Sequence, residues 1–266
     1  MKRRGFIQSV STTAVGLTLP GIAFGSSPEN NEFTKAENVR KLFIFGGGRS
    51  KAMLSYIQKL TNKDDPKICL IPTATGDDDR SMVSWFEACE GLAIRPYVMR
   101  SFISSYTTSQ SFEDTIMEMD AIMIGGGNTL NMLAIWKAQG IDLALRKAYE
   151  AGILMTGASA GSLCWFKDGT TDSRPKELSK IECLGWIQYS HCPHYDKESF
   201  RRPVYHQLIK SGELLPGYAC DNDSGLLFEN ENLIKCVSTK KDSNSYFVEL
   251  KNGVIDEREL PKEIIH

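Results

Sequence analysis

The sequence predicts an α/β fold: a mostly parallel sheet flanked by helices on both faces and finished by a C-terminal antiparallel meander. Two observations carry this expectation. Short apolar runs, continuous rather than alternating, are separated by longer segments with helical spacing, and beyond residue 224 the texture changes to short runs divided by polar turns. Continuous runs mark strands buried on both faces, as parallel strands are.

The runs come in order as Leu42-Phe43-Ile44-Phe45, Ile68-Cys69-Leu70-Ile71, Ile94 to Met99, Ala121-Ile122-Met123-Ile124 and Ile153-Leu154-Met155. Between them Met53, Ile57 and Leu60, then Met82, Trp85, Phe86 and Cys89, then Leu130, Leu133 and Trp136, and finally Leu143 and Ala148 carry helical spacing. The last runs are Leu226-Leu227-Phe228, Leu233 to Val237 and Tyr246-Phe247-Val248, and the polar stretches between them read as the turns of the meander. With 266 residues, 41% hydrophobic and 24% charged, the chain suits one α/β domain with a full core, over residues 39–266.

The first 25 residues differ in kind. Lys2, Arg3 and Arg4 precede an uncharged apolar stretch from Val10 to Phe24, a pattern that resembles the twin-arginine export signal and reads as cleaved after Gly25. The stretch falls short of the ~20 residues of a spanning helix and contains Gly16, Pro20 and Gly21, so no stable membrane association is expected after cleavage. Residues 26–38 read as a linker, and the mature protein is expected in the periplasm or otherwise exported. A net charge of -2 and a pI near 6.1 give no basis for binding nucleic acid, which needs clustered cations. The seven cysteines form no CxxC pair, so no metal cluster is indicated, and several sit in apolar runs as buried thiols would.

The chemistry concentrates at Gly157-Ala158-Ser159-Ala160-Gly161, directly after a strand-like run and before a helical stretch. This is the form of a nucleophile elbow, in which small residues on either side let a serine project from a sharp turn and the next N–H, here that of Ala160, faces a developing oxyanion. A second glycine loop, Gly125-Gly126-Gly127-Asn128-Thr129, follows the run ending at Ile124, so Gly126 or Gly127 is placed to supply a second oxyanion donor. Gly46-Gly47-Gly48 follows the first run in the same manner. A serine nucleophile needs a base, and of the four histidines His191 and His194 lie at the exit of an apolar run, whereas His206 falls in a helical stretch and His266 is terminal.

Taken together, the GGGNT loop, the GASAG elbow, Thr170-Thr171-Asp172-Ser173 and Pro193-His194-Tyr195-Asp196 stand in an order and spacing that resembles the peptidase E and cyanophycinase group of serine peptidases, similar in fold to class I glutamine amidotransferases. The resemblance implies Ser159 as nucleophile, His194 as base, Gly126 or Gly127 with Ala160 as oxyanion hole, and supporting parts for Asp172 and Asn128. For the third triad member the sequence reads Asp221-Asn222-Asp223, where the family carries an acid. The acid position aligns with Asn222, and a one-residue adjustment brings in Asp221 or Asp223 instead. An amide there still fixes the imidazole tautomer but stabilises imidazolium less than a carboxylate does.

The expected reaction is acyl transfer through an acyl-enzyme, with no metal or organic cofactor. The partner is expected to be a small peptide, and the resemblance implies aspartyl dipeptides or β-aspartyl peptides of the cyanophycin type. Recognition of an acidic side chain calls for a cation, with Arg49, Arg174, Arg201 and Arg202 as candidates. The alternatives are an esterase or amidase of unrelated substrate and a non-catalytic binding protein on the same fold. The sequence leaves the oligomeric state open, a dimer among the options.

Overall fold

Alternate side chains of the apolar runs feed two separate cores in the computed structural model of the protein, which describes residues 38–103 and 109–266. The runs form the parallel strands β1 (Lys41–Phe45), β2 (Lys67–Ile71), β3 (Arg95–Val98), β4 (Ala121–Ile124) and β5 (Leu154–Ala158). Leu42, Ile44, Cys69, Ile71, Ile122 and Met155 point into one core, and Phe43, Phe45, Ile68, Leu70, Met123 and Leu154 into the other. Helices α1 (Lys51–Leu60) and α2 (Asp79–Cys89) cover the second core with Met53, Ile57 and Trp85. Over the first lie α3 (Phe112–Met117), α4 (Thr129–Gln139) and α5 (Ile141–Glu150), supplying Ile116, Trp136 and Leu145. Each fully buried side chain of this kind contributes about 1.5–3 kcal/mol.

The helical spacing expected from sequence holds with three shifts. In α2 Trp85 and Cys89 are buried while Phe86 is 49% exposed. In α5 the buried stripe is Ile141, Ala144, Leu145, Ala148 and Tyr149, and Leu143 falls off it, 73% exposed. In α4 Met132 and Trp136 face the core while Leu130 is exposed.

The second half of the chain contains α6 (Ala160–Leu163), β6 (Phe166–Thr171), β7 (Ser179–Glu182), β8 (Ile187–Cys192), α7 (Arg201–Lys210), β9 (Gly217–Cys220), β10 (Ser224–Glu229), β11 (Asn232–Ser238), β12 (Ser245–Lys251), β13 (Val254–Glu259) and β14 (Lys262–Ile264). Two sheets result: eight strands in the order β14-β11-β10-β1-β5-β4-β2-β3, and six in the order β13-β12-β9-β8-β6-β7. The fold class is the expected one, but the meander is divided: β10 and β11 extend the first sheet antiparallel to β1, whereas β12 and β13 close the second. The second sheet went unforeseen because its inner strands are short and mixed, and bury polar groups such as Thr170, Ser190 and His191. The expected export signal over residues 1–25 and all of the expected linker except Asn38 lie outside the described residues.

Register brings the strand exits to one edge. Phe45 pairs with Ala158, Gly157 with Ile124 and Ile124 with Ile71, so the turns after β1, β5, β4 and β2 are level. In the second sheet β6, β8 and β9 are parallel, and their carboxyl ends release Asp172, Pro193-His194 and Asp221-Asn222. A bond from the Asp223 N–H to the Gly47 carbonyl (2.8 Å) fastens the turn after β9 to the turn after β1.

Candidate active site

Ser159 occupies the turn between β5 and α6 with φ 57° and ψ -118°, a conformation that costs a non-glycine residue on the order of 1–3 kcal/mol and clusters at functional sites. The surrounding structure enforces it. A Cβ on Gly161 would overlap the Ile124 carbonyl of β4, and one on Gly157 the Gly161 carbonyl, so the chain reverses where only glycine allows the approach. The Ser159 carbonyl accepts from the N–H groups of Ser162 (2.9 Å) and Leu163 (3.0 Å), which closes the turn. Its side chain is half-buried, and among the described residues Oγ makes no hydrogen bond. As the first residue of α6, Ala160 has an N–H without an intrahelical acceptor.

The neighbouring exit brings Gly126 against the elbow: a Cβ there would stand 3.1 Å from Ser159 Cβ and 3.6 Å from its Oγ. Gly127, at φ 137°, is pressed against the Ala74 carbonyl. Asn128 works on structure. Its Oδ1 caps α4 by accepting from the Asn131 N–H (2.9 Å), and its Nδ2 donates to the Ser173 carbonyl (3.1 Å), tying this loop to the exit of β6.

On the other flank, Gly47 brackets the imidazole. A Cβ at this position would lie 2.6 Å from His194 Cε1 and would overlap Asn222 Oδ1, so β1's exit, His194 and Asn222 are in contact. His194 Nδ1 is 2.7 Å from Asn222 Oδ1. An amide oxygen only accepts, so Nδ1 is the donor of this bond, and the tautomer it selects in the neutral ring is the one whose Nε2 can accept. Asn222 is held by its own N–H, which donates to Asp196 Oδ1 (2.8 Å). No hydrogen bond joins His194 to Ser159 among the described residues; such bonds often tighten only when substrate binds.

The choice among Asp221, Asn222 and Asp223 is thus made by geometry in favour of Asn222 as the histidine's partner. Asp221 is buried and turned away, accepting from the Asn244 N–H (2.8 Å), and burial pushes its carboxyl up to about 6. Asp223 pairs with Lys240 (2.7 Å). Asp172 stands at the exit of β6 with its side chain 61% exposed, 3.3 Å from the buried guanidinium of Arg201.

His191 takes another place. It is fully buried, stacks on Phe166, and donates from Nδ1 to the Tyr218 carbonyl (3.0 Å), leaving Nε2 to face Ser162 Oγ at 2.9 Å. Burial lowers its pKa to about 3. The same Ser162 hydroxyl reaches the Ser159 carbonyl (2.8 Å), so His191 stands behind the elbow instead of beside the Ser159 hydroxyl. His206 bonds Tyr195 and Glu257 at 2.9 and 2.8 Å. Sequence reasoning missed Ser162 and Asp196 as supports. Asp196 was legible in principle, two residues after His194 in the same motif; Ser162 is one turn past Ser159 with no signal of its own.

Residues 42–236 match the family model of peptidase family S51. An uncharacterized peptidase of Bacillus subtilis strain 168, YgaJ, is 38% identical over 229 residues, covering 84% of this chain and 98% of that protein. The crystal structure of a peptidase from an acI-B1 Actinobacterium superposes with a TM-score of 0.66 at 15% identity, over 86% of this chain and 97% of that one. A putative peptidase E of Listeria monocytogenes EGD-e gives 0.56 at 19% identity, over 74% and 97%.

Proposed function

The chain belongs to peptidase family S51, and from that premise we propose that it is a serine peptidase acting through an acyl-enzyme on small peptides with an aspartyl residue at the amino end. The observation that carries the reading is the strained turn at Ser159, a cost that persists only where the surrounding structure imposes it. The level exits of β1, β4 and β5 and the His194–Asn222 pair add to it.

In this reading Nε2 of His194 takes the proton of Ser159 Oγ as the oxygen attacks the amide carbonyl. The N–H of Ala160 and that of Gly126 or Gly127 receive the oxyanion, His194 returns the proton to the leaving amine, and water releases the acyl group by the same route in reverse. Asn222 keeps the tautomer and Asp196 keeps Asn222. Asp172 acts at a distance, by holding Arg201 at the exit of β6.

A fluorophosphonate probe tests the nucleophile. Labelling lost in Ser159→Ala is expected, and a folded wild type that takes no label ends the serine mechanism. Hydrolysis of Asp-Leu, β-Asp-Leu and Ala-Leu then ranks the substrates, with Asp-Leu expected first; preference for β-Asp-Leu would favour the cyanophycin-type alternative. Export is supported by the arginine-led apolar start of the sequence, and sequencing of the mature N-terminus, expected at residue 26, checks it.

A further inference from the structure

Beside the elbow lies a pocket of about 260 Å³ between the exits of β1, β2 and β4 and the start of α2. Its walls include Arg49, Thr75, Arg80, Ser81, Ser84 and Gly126. Two arginines and three hydroxyl-bearing residues line it, and among the described residues no carboxylate does. Asp77, nearby in sequence, is turned the other way, accepting from the N–H of Phe102 at 2.7 Å. Gly126 is shared with the nucleophile, whose Cβ stands 3.1 Å from where a side chain on that glycine would begin.

The arginines differ in how far they are already engaged. Arg201 is buried between Asp172 and Glu198, at 3.3 and 2.5 Å. Arg202 is paired with Glu257 and stacked on Tyr195 and Tyr246. Arg174 donates to Ser179 Oγ and the Lys180 carbonyl, both at 3.1 Å, in a cleft that also contains Asp172 and Glu177. Arg49, by contrast, donates only to Ser84 Oγ (2.9 Å) and lies over the ring of Trp85, and among the described residues neither it nor Arg80 makes an ion pair. Burial lowers the Arg49 pKa, as expected of a cation partly stripped of water without a counter-charge.

Resting on the peptidase reading above, we propose that this pocket binds the side-chain carboxylate of the residue whose carbonyl Ser159 attacks, with Arg49 and Arg80 as the residues that set specificity for an acidic amino-terminal residue. A carboxylate entering here meets a planar donor fork already held flat by Trp85 and Ser84 and a second cation at the rim. Arg49 is oriented before substrate arrives, so little side-chain entropy is lost on binding.

The test compares kcat/KM for Asp-Leu and its neutral isostere Asn-Leu in the wild type, Arg49→Gln, Arg49→Lys and Arg80→Gln. The Asp-Leu to Asn-Leu ratio is expected to fall about 10- to 100-fold in Arg49→Gln, the size of one lost charge-assisted hydrogen bond, and by less in Arg49→Lys. Because Arg49 packs on Trp85, Arg80→Gln at an exposed position serves as the variant whose folding is not in question, and a fall in the same ratio is expected there too. Ratios unchanged in both glutamine variants while peptides are still cleaved overturn the pocket and leave the peptidase reading intact. A loss equal for Asp-Leu and Asn-Leu but absent for Asp-Leu amide assigns Arg49 to the peptide's terminal carboxylate and also overturns the proposal. If the wild type cleaves no peptide, the peptidase reading fails, and calorimetry with succinate judges the pocket alone: binding lost in Arg49→Gln supports it, and equal or absent binding refutes it.

Discussion

At position 159 the backbone is held at φ 57° and ψ -118°, and nothing in the serine itself favours that conformation. The chemistry of the site depends on a second residue-scale choice, the amide at Asn222 in a place where a carboxylate is the usual partner of a catalytic histidine. An amide oxygen orients the ring yet leaves imidazolium less stabilised. Asn222→Ala is therefore expected to lower kcat by about 10- to 100-fold through lost orientation, while Asn222→Asp retains or raises it, as measured by steady-state hydrolysis of the preferred dipeptide. Equal losses in both variants would show that the side chain acts only through packing.

At the scale of elements, the site is a set of strand exits held level by packing, and its weak points are where two backbones touch. Gly161 brings α6 against β4, so Gly161→Ala must push the two apart. A cost of about 1–3 kcal/mol follows, expected as a fall in Tm of roughly 2–10 °C. The cap of α4 offers a finer separation. Asn128→Ala removes both the cap and the link to Ser173 and is expected to cost about 1 kcal/mol in urea unfolding, whereas Asn128→Asp keeps the acceptor for the Asn131 N–H and costs less. Peptidase activity that falls in Asn128→Asp without loss of stability would assign the Ser173 link to positioning.

For the whole molecule, two buried groups tilt stability with pH in opposite directions. His191 has a folded pKa near 3, below its ordinary 6.5, so its contribution is present above 6.5 and is lost as pH falls toward 3. Asp221 is raised to about 6 from 3.8, so its contribution is complete below 3.8 and is lost as pH rises through 6. Their slopes oppose each other between these limits. Asp221→Asn removes one of them: the variant is expected to gain stability relative to the wild type progressively from pH 4 to 6, hold the gain at pH 7, and show a steeper acid decline. Denaturant midpoints at pH 4, 5, 6 and 7 check this, and a gain independent of pH would mean that Asp221 is already neutral.

The first sheet was legible in the sequence because strands buried on both faces must be apolar at every position, as Leu42 to Phe45 and Ala121 to Ile124 are, and a serine flanked by glycines at the end of such a run announces its own turn. The second sheet was not. Strands such as Phe166–Thr171 and Ile187–Cys192 satisfy Thr170, Ser190 and His191 with partners distant in sequence, so their polar residues looked like loop. The sequence by itself therefore singled out Ser159 as the candidate nucleophile, the pair of histidines beside Pro193 and the three candidates from Asp221 to Asp223. Only the tertiary structure decided that His194 faces Asn222, that His191 braces the elbow from behind, and that, among the described residues, Arg49 makes no ion pair beside a pocket that Gly126 lines. The physical reason is the same in each case: a hydrogen bond or a counter-charge is a property of two groups, and the distance between groups on different strands is set by packing that no local stretch of sequence contains.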